Sequence, residues 1–168
     1  MEQEKFTFFW HGIFSQWHPC QFTIDRTVYN CAEQYMMASK ARLFNDKKAL
    51  VKIMGLKEPR DQKAAGRDVQ GFNEKIWNAH AKKIVFIGSY AKFTQNENEK
   101  KGLLQTTGTT LVEASPRDRI WGIGLGADNP KAQDRSTWRG TNWLGENLTD
   151  LRKFLEYQQL LTKKDFTK

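Results

Sequence analysis

The 168-residue chain predicts an α+β fold of one domain, mostly helical with a small β-sheet. Three observations carry that expectation. Two short β-rich runs, "KFTFFW" and "CQFTIDRTVYN", come first. A series of segments with apolar residues at helical spacing follows them. Two more β-like runs, "TTLVEA" and "RIWGIGL", then precede a last helical segment. That order of elements fits helices packed on a limited sheet.

Each element has a local reason. "CQFTIDRTVYN" reads as two strands turning at Asp25-Arg26. Asn30 is the expected cap of a helix running to about Leu43, "NCAEQYMMASKARLF". Helices are expected at Asp46–Met54 and Asp61–Asp68, separated by Gly55 and Pro59. Phe72 to Tyr90 has helical spacing, with Asn73 as its cap, and Asn96–Gln105 is a shorter helix. Pro116 and glycines flank the late strands. "ADNPKAQDRSTWRGTNW" reads as a loop, and Thr141 or Asn142 opens a final helix to about Leu161. One domain, 1–168 with its core at about 5–160, is expected.

Composition narrows the function classes. Hydrophobic residues are 39% of the chain, enough for a core rather than a disordered segment. Lys and Arg number 27 against 19 acidic residues, a net charge of +8 that attracts phosphorylated ligands or polyanions. The positive charges are spread along the chain, which argues against a basic arm. Cys20 and Cys31 form no CxxC, and the three histidines show no ligand spacing, so neither a disulfide framework nor a metal site is expected. No apolar run approaches a membrane span, and "MEQEKFTFFWHG" does not read as a signal peptide. A reduced cytoplasmic setting follows, or a nuclear one in a eukaryote.

The helix beginning near residue 30 holds the most informative pattern. Glu33 and Lys40 are seven positions apart, about 20° around the axis and roughly 10 Å along it. They share a face with Met36 and Met37. Helical side chains lean toward the N-terminus, so Lys40 leans toward Glu33. An amine held against apolar groups loses part of its preference for the charged form and becomes a nucleophile, and a carboxyl group beside it can move protons. The structural alternative stands beside this one. Asn30-x-x-Glu33 is also a capping box, and Lys40 can reach solvent along its own stem.

Other residues carry weaker signals. Gly122, Gly124 and Gly126 alternate in a way that lets a ligand approach the backbone, or simply ends a strand. Trp77 and Trp121 can stack on a ring or fill core. Asp118 can bind ribose hydroxyls or cap a turn. Arg67 and Lys92 can grip phosphate or lie solvated on the surface. No P-loop, GxGxxG or nucleophile elbow is present.

Five ordered blocks add a resemblance. They are "GIFSQWHPCQFTIDRTVYNCAEQYMMASKA", "AAGRDVQGFNEKIW", "YAKFTQN", "LVEASPRDRIWGIGL" and "WRGTNWLGENL". From about Phe8 to Leu155 the chain resembles the NADAR family, also known as YbiA-like or DUF1768. The resemblance implies an N-glycosidase acting on ribose-linked bases. One branch cleaves phosphorylated riboflavin-pathway intermediates, and another removes ADP-ribose from modified guanine. It places the family's essential Glu on Glu33, its helix Lys on Lys40, a family Trp on Trp77 and the late Trp-Gly on Trp121 and Gly122. In the ADP-ribose branch the lysine is implied to form an imine with the sugar. Phe14, Ser15 and Asn142, in the first and last blocks, are expected at the substrate together with Arg67, Lys92 and Asp118. Two departures occur. Ile123 stands where some YbiA-type members have an acid, which points to Asp118 as a substitute or to the ADP-ribose branch, and Gln16 stands where many relatives have Asn.

The expected activity is therefore hydrolysis of the ribose–base bond, most directly on ADP-ribosylated guanine in a nucleotide or nucleic acid, by a monomer with no cofactor and no metal. Cleavage of a phosphorylated ribosyl-pyrimidine is the alternative within the enzyme class. A non-catalytic module that binds ADP-ribose or NAD derivatives is the alternative outside it, and a general basic nucleic-acid binder is a third.

Overall fold

At the turn between the first two paired strands, Asp25 and Arg26 have φ of 48° and 63°. Both are left-handed, as a type I′ hairpin turn requires. They join β2 (Phe22–Ile24) to β3 (Thr27–Tyr29), which pair antiparallel with Phe22 opposite Tyr29. The structure, a computed structural model, describes residues 4–165, so the expected span 1–168 extends past the described residues at both ends. The fold is α+β, mostly helical, with two small two-stranded sheets. The chain forms two compact units. One runs from Ser15 to Glu97, and the other joins the residues up to Phe14 with those from Asn98 onward.

In the Ser15–Glu97 unit the hairpin leads into α1 (Ala32–Leu43), α2 (Lys47–Gly55), α3 (Pro59–Arg67) and α4 (Glu74–Gln95). Helices α2, α3 and α4 all pack on α1. The sequence predicts one buried face for α1. Instead every residue from Ala32 to Ala38 is buried, with Lys40 and Ala41, because neighbours surround it. Two glycines let them come close. A Cβ on Gly66 of α3 would stand 2.0 Å from Met37 Sδ, and one on Gly88 of α4 would stand 2.5 Å from Tyr35 Cδ1. Neither site has room for a side chain.

The other unit pairs β1 (Phe6–Phe9) in parallel with β4 (Thr110–Glu113), with Phe6 opposite Thr110. It also holds α5 (Glu97–Leu104) from Asn98 onward and α6 (Trp143–Asp165), and α6 packs on β4. "RIWGIGL" is not a strand. The Asp118 carboxylate accepts the backbone N–H groups of Ile120 at 2.9 Å and Trp121 at 2.8 Å, folding the segment into turns. Two of its apolar side chains still reach the core, where Ile123 and Leu125 join Val112 and Ala132. The expected loop after it contains two short 3-10 turns, Pro130–Gln133 and Arg135–Thr137, capped by Asn129 and Asp134. No helix among the described residues is long and apolar enough to cross a membrane.

Candidate active site

The start of α1 decides what Glu33 is available to do. The N-cap is Cys31, not Asn30: its Sγ accepts the Gln34 N–H and donates to Gln62 Oε1 at 3.1 Å. Burial pushes this thiol up to about 11, which suits a protonated S–H donor. The reciprocal half of the cap comes from Gln34, whose Oε1 accepts the Asn30 N–H at 2.9 Å. The capping-box role that the sequence allows Glu33 is therefore filled by its neighbour. Glu33 donates its backbone N–H to the Gln16 carbonyl at 2.9 Å, and its side chain is buried at 4% exposure.

Two turns further on, Lys40 is buried at 9% exposure. Its Nζ donates to the Gly66 carbonyl at 2.8 Å. Gly66 lies in the last turn of α3, where backbone carbonyls have no partner within the helix. Its lack of a side chain brings α3 against Met37 and puts that carbonyl in reach. The same ammonium lies 4.2 Å from the centroid of the Phe72 ring and 5.7 Å from that of Trp77. Burial holds the Lys40 pKa below the usual lysine range, Arg67 lowers it further as a like charge, and Glu33 opposes both. The result is an amine with a larger neutral fraction near pH 7 than a surface lysine has, in the electrostatic field of a buried carboxyl group.

The ring pair has a local origin. Asn73 caps α4, its Oδ1 accepting the Ile76 N–H at 3.0 Å. Phe72 and Trp77 thus occupy the two positions of a hydrophobic staple around a helix start. Gly71, at φ 72°, makes the left-handed bend that delivers Phe72. Phe72 is braced edge-on by Phe44, with centroids 5.4 Å apart. The sequence reading names Trp77 but not Phe72 or Gly66. The aromatic just before Asn73 is the signal that points to Phe72. Gly66 has no local signal, because its partner comes from another helix.

The remaining expected site residues divide by unit. Arg67 is exposed and close enough to Lys40 to act on its charge. Trp77 is half-buried, not core. Lys92 does not lie solvated on the surface: it is buried at 1% exposure, and its ammonium donates to the Ser15 carbonyl at 2.9 Å. The Ser15 hydroxyl accepts the Trp17 N–H at 3.2 Å. Phe14, Asp118, Trp121, Gly122 and Asn142 belong to the other unit. There Phe14 packs on Phe9, with centroids 5.5 Å apart, and Trp121 meets Trp143 edge-on at 5.6 Å. Asp118 caps a turn, the second of its two sequence readings. At Gly122 the close neighbour is the chain itself, since a Cβ would stand 2.8 Å from the Glu113 carbonyl oxygen. Asn142 is fully buried and serves β4, accepting the Glu113 N–H at 2.9 Å and donating to the Leu111 carbonyl at 3.0 Å.

Concavity alone would point elsewhere. A pocket of about 590 Å³ lies around Thr109, Arg152 and Glu156, and one of about 600 Å³ around Gln34, Met54 and Lys57. Neither includes Glu33 or Lys40. Their polar groups already serve the fold: Arg152 donates to the carbonyls of Thr106 and Thr109, and Gln34 to those of Ile53 and Leu56. The buried amine and acid of α1 are the stronger chemical indication.

A family model described as NADAR domain matches residues 7–156. The chain belongs to the NADAR family. It is 42% identical over 167 residues to a protein of Acanthamoeba polyphaga mimivirus named as an N-glycosidase, covering 91% of this chain and 98% of that one. A riboflavin biosynthesis protein of Vibrio vulnificus is 27% identical over 114 residues, 68% of this chain but 30% of that protein. Among solved structures, the YbiA protein of E. coli superposes with a TM-score of 0.77 at 26% identity, covering 95% of this chain and 90% of that one. The NADAR fold is thus shared across nearly the whole length of YbiA.

Proposed function

We propose that this NADAR protein is an N-glycosidase that hydrolyses the bond between ribose C1 and a base nitrogen, with ADP-ribosylated guanine, in a nucleotide or in nucleic acid, as its substrate. One observation carries the reading. Lys40 is a buried amine, 2.8 Å from the Gly66 carbonyl and flanked by two rings, with its pKa held down by burial and Arg67.

The chemistry runs in three steps. The Glu33 carboxyl group passes a proton to the ribose ring oxygen, and the ring opens to leave C1 doubly bonded to the base nitrogen. The neutral Nζ of Lys40 adds its lone pair to C1, a proton passes to the base nitrogen, and the base departs with the electrons of the C1–N bond. C1 is now doubly bonded to Nζ as an iminium. Water adds to C1 and the amine leaves, freeing the sugar and restoring Lys40. Trp77 stacks on the base or the adenine, and exposed Arg67 holds phosphate. The reaction needs no cofactor, and a monomer suffices.

The named N-glycosidase relative supports the reaction class, since it matches over nearly its full length. The ADP-ribose branch is favoured by Ile123, a wholly buried core residue where some YbiA-type members have an acid. Asp118 is already occupied by backbone amides. The second reading, cleavage of phosphorylated riboflavin-pathway intermediates, draws on the partial match to the riboflavin biosynthesis protein. Mass spectrometry of products from an ADP-ribosylated guanine oligonucleotide and from a phosphoribosylamino-pyrimidine separates the two. Free guanine-containing strand from the first supports the proposal. Base release only from the second selects the alternative. Tight ADP-ribose binding with no release from either means a reader rather than an enzyme.

A further inference from the structure

The hydrogen-bond and ring environment of Lys40 goes beyond what a nucleophile alone requires. Of its three N–H groups, the Gly66 carbonyl takes one. The face of Phe72 lies 4.2 Å away, well within cation–π range, and Trp77 is close to the limit at 5.7 Å. A ring face attracts a positive charge much more strongly than it attracts the N–H groups of a neutral amine. The attacking form of Lys40 is neutral. The iminium formed after attack carries its charge on the same nitrogen.

We infer that Phe72 is a further catalytic residue, whose ring face holds the positive charge of the sugar–Lys40 iminium. This rests on the lysine-imine reading above. Three features of the position fit it. Phe72 is 44% exposed, so core packing does not account for an aromatic there. Phe44 braces it edge-on, which fixes the direction of the ring face. The left-handed bend at Gly71 and the staple position before Asn73 place it beside the amine through backbone geometry, not through burial. The ring also resolves a conflict. Burial and Arg67 disfavour charge on Nζ, which promotes attack but would destabilise the cationic intermediate. The ring, a fixed quadrupole without net charge, gives back part of that stability without binding a proton of its own.

Free ADP-ribose is a suitable probe, because its C1 aldehyde condenses with Lys40 without any glycosidic bond. Nζ adds to C1, water leaves, and cyanoborohydride delivers hydride to C1 of the iminium, giving a secondary amine. Peptide mass spectrometry then counts the adduct at Lys40. Phe72→Leu, which keeps an apolar side chain, is expected to lower the trapped fraction about tenfold, while Phe72→Tyr stays within about twofold of the unsubstituted protein. In turnover, kcat falls with Phe72→Leu while KM changes little, a split that a packing role would not produce. Equal trapping by Phe72→Leu and the unsubstituted protein overturns this inference alone, as does loss of trapping in Phe72→Tyr. Absence of any Lys40 adduct in the unsubstituted protein overturns the lysine-imine reading as well.

Discussion

Polar side chains that the sequence marks for function are used in two ways, and the two units give an example of each. In the unit containing β4, Asp118 and Asn142 are saturated by nearby backbone: amides of Ile120 and Trp121 for the one, the edge of β4 for the other. In the Ser15–Glu97 unit, Lys40 meets one carbonyl and two ring faces. A polar group whose partners are backbone amides and carbonyls of its own loop organises that loop. A charged group whose neighbours are mostly apolar is left chemically unsatisfied, and its proton affinity shifts. On the proposed function, this difference separates fold-determining from reactive polar residues more sharply than residue type does.

Four substitutions test that division. Lys40→Arg keeps the charge but cannot form an imine, and is expected to reduce base release by at least about a thousandfold. Near-normal turnover would break the division at its strongest point. Glu33→Gln, which cannot give up a proton as the acid does, should cost about 10²–10⁴ in kcat with the fold intact by circular dichroism. Asp118→Ala is expected to behave in the opposite way, lowering unfolding free energy in urea by about 1–3 kcal/mol while kcat of the folded protein stays within about threefold. A large fall in kcat without loss of stability would move Asp118 into the reactive group. The smallest effect on kcat is expected for Arg67→Gln, whose loss of a phosphate contact falls on KM. Arg67 lowers the Lys40 pKa, so its removal raises that pKa, and the rising limb of rate against pH moves to higher pH. An unmoved limb would mean that burial alone sets the amine.

How much of this is legible in the sequence follows from how local each cause is. The hairpin turn at Asp25-Arg26 and the Asn73 cap are set by residues within a few positions, and they stand where the pattern places them; Asp46, read as the first residue of its helix, is the cap just before it. The α1 cap falls one residue later than expected because Cys31 finds a partner in Gln62, which sequence spacing does not reveal. Lys92 reads as a phosphate-gripping or a solvated lysine, and the loop carbonyl of Ser15 that meets it is not visible in the sequence. The pairing of Glu33 with Lys40 on one helix is written in their spacing. The carbonyl and rings around the amine are not, since they come from α3 and the start of α4. "RIWGIGL" has the alternation of a strand, and its Ile123 and Leu125 are buried as a strand's would be. A single carboxylate just upstream claims the amides that a partner strand would need.

The parallel pairing of β1 with β4 joins segments separated by roughly a hundred residues. Closing so large a loop is entropically slow. The Ser15–Glu97 unit, by contrast, is continuous in sequence. During synthesis it can assemble around α1 as soon as it leaves the ribosome, while β1 waits for β4. Until that strand arrives, β1 presents an open, aromatic-rich edge, "FTFF". That nascent interval is where the chain is most exposed to aggregation and where chaperone dependence should concentrate.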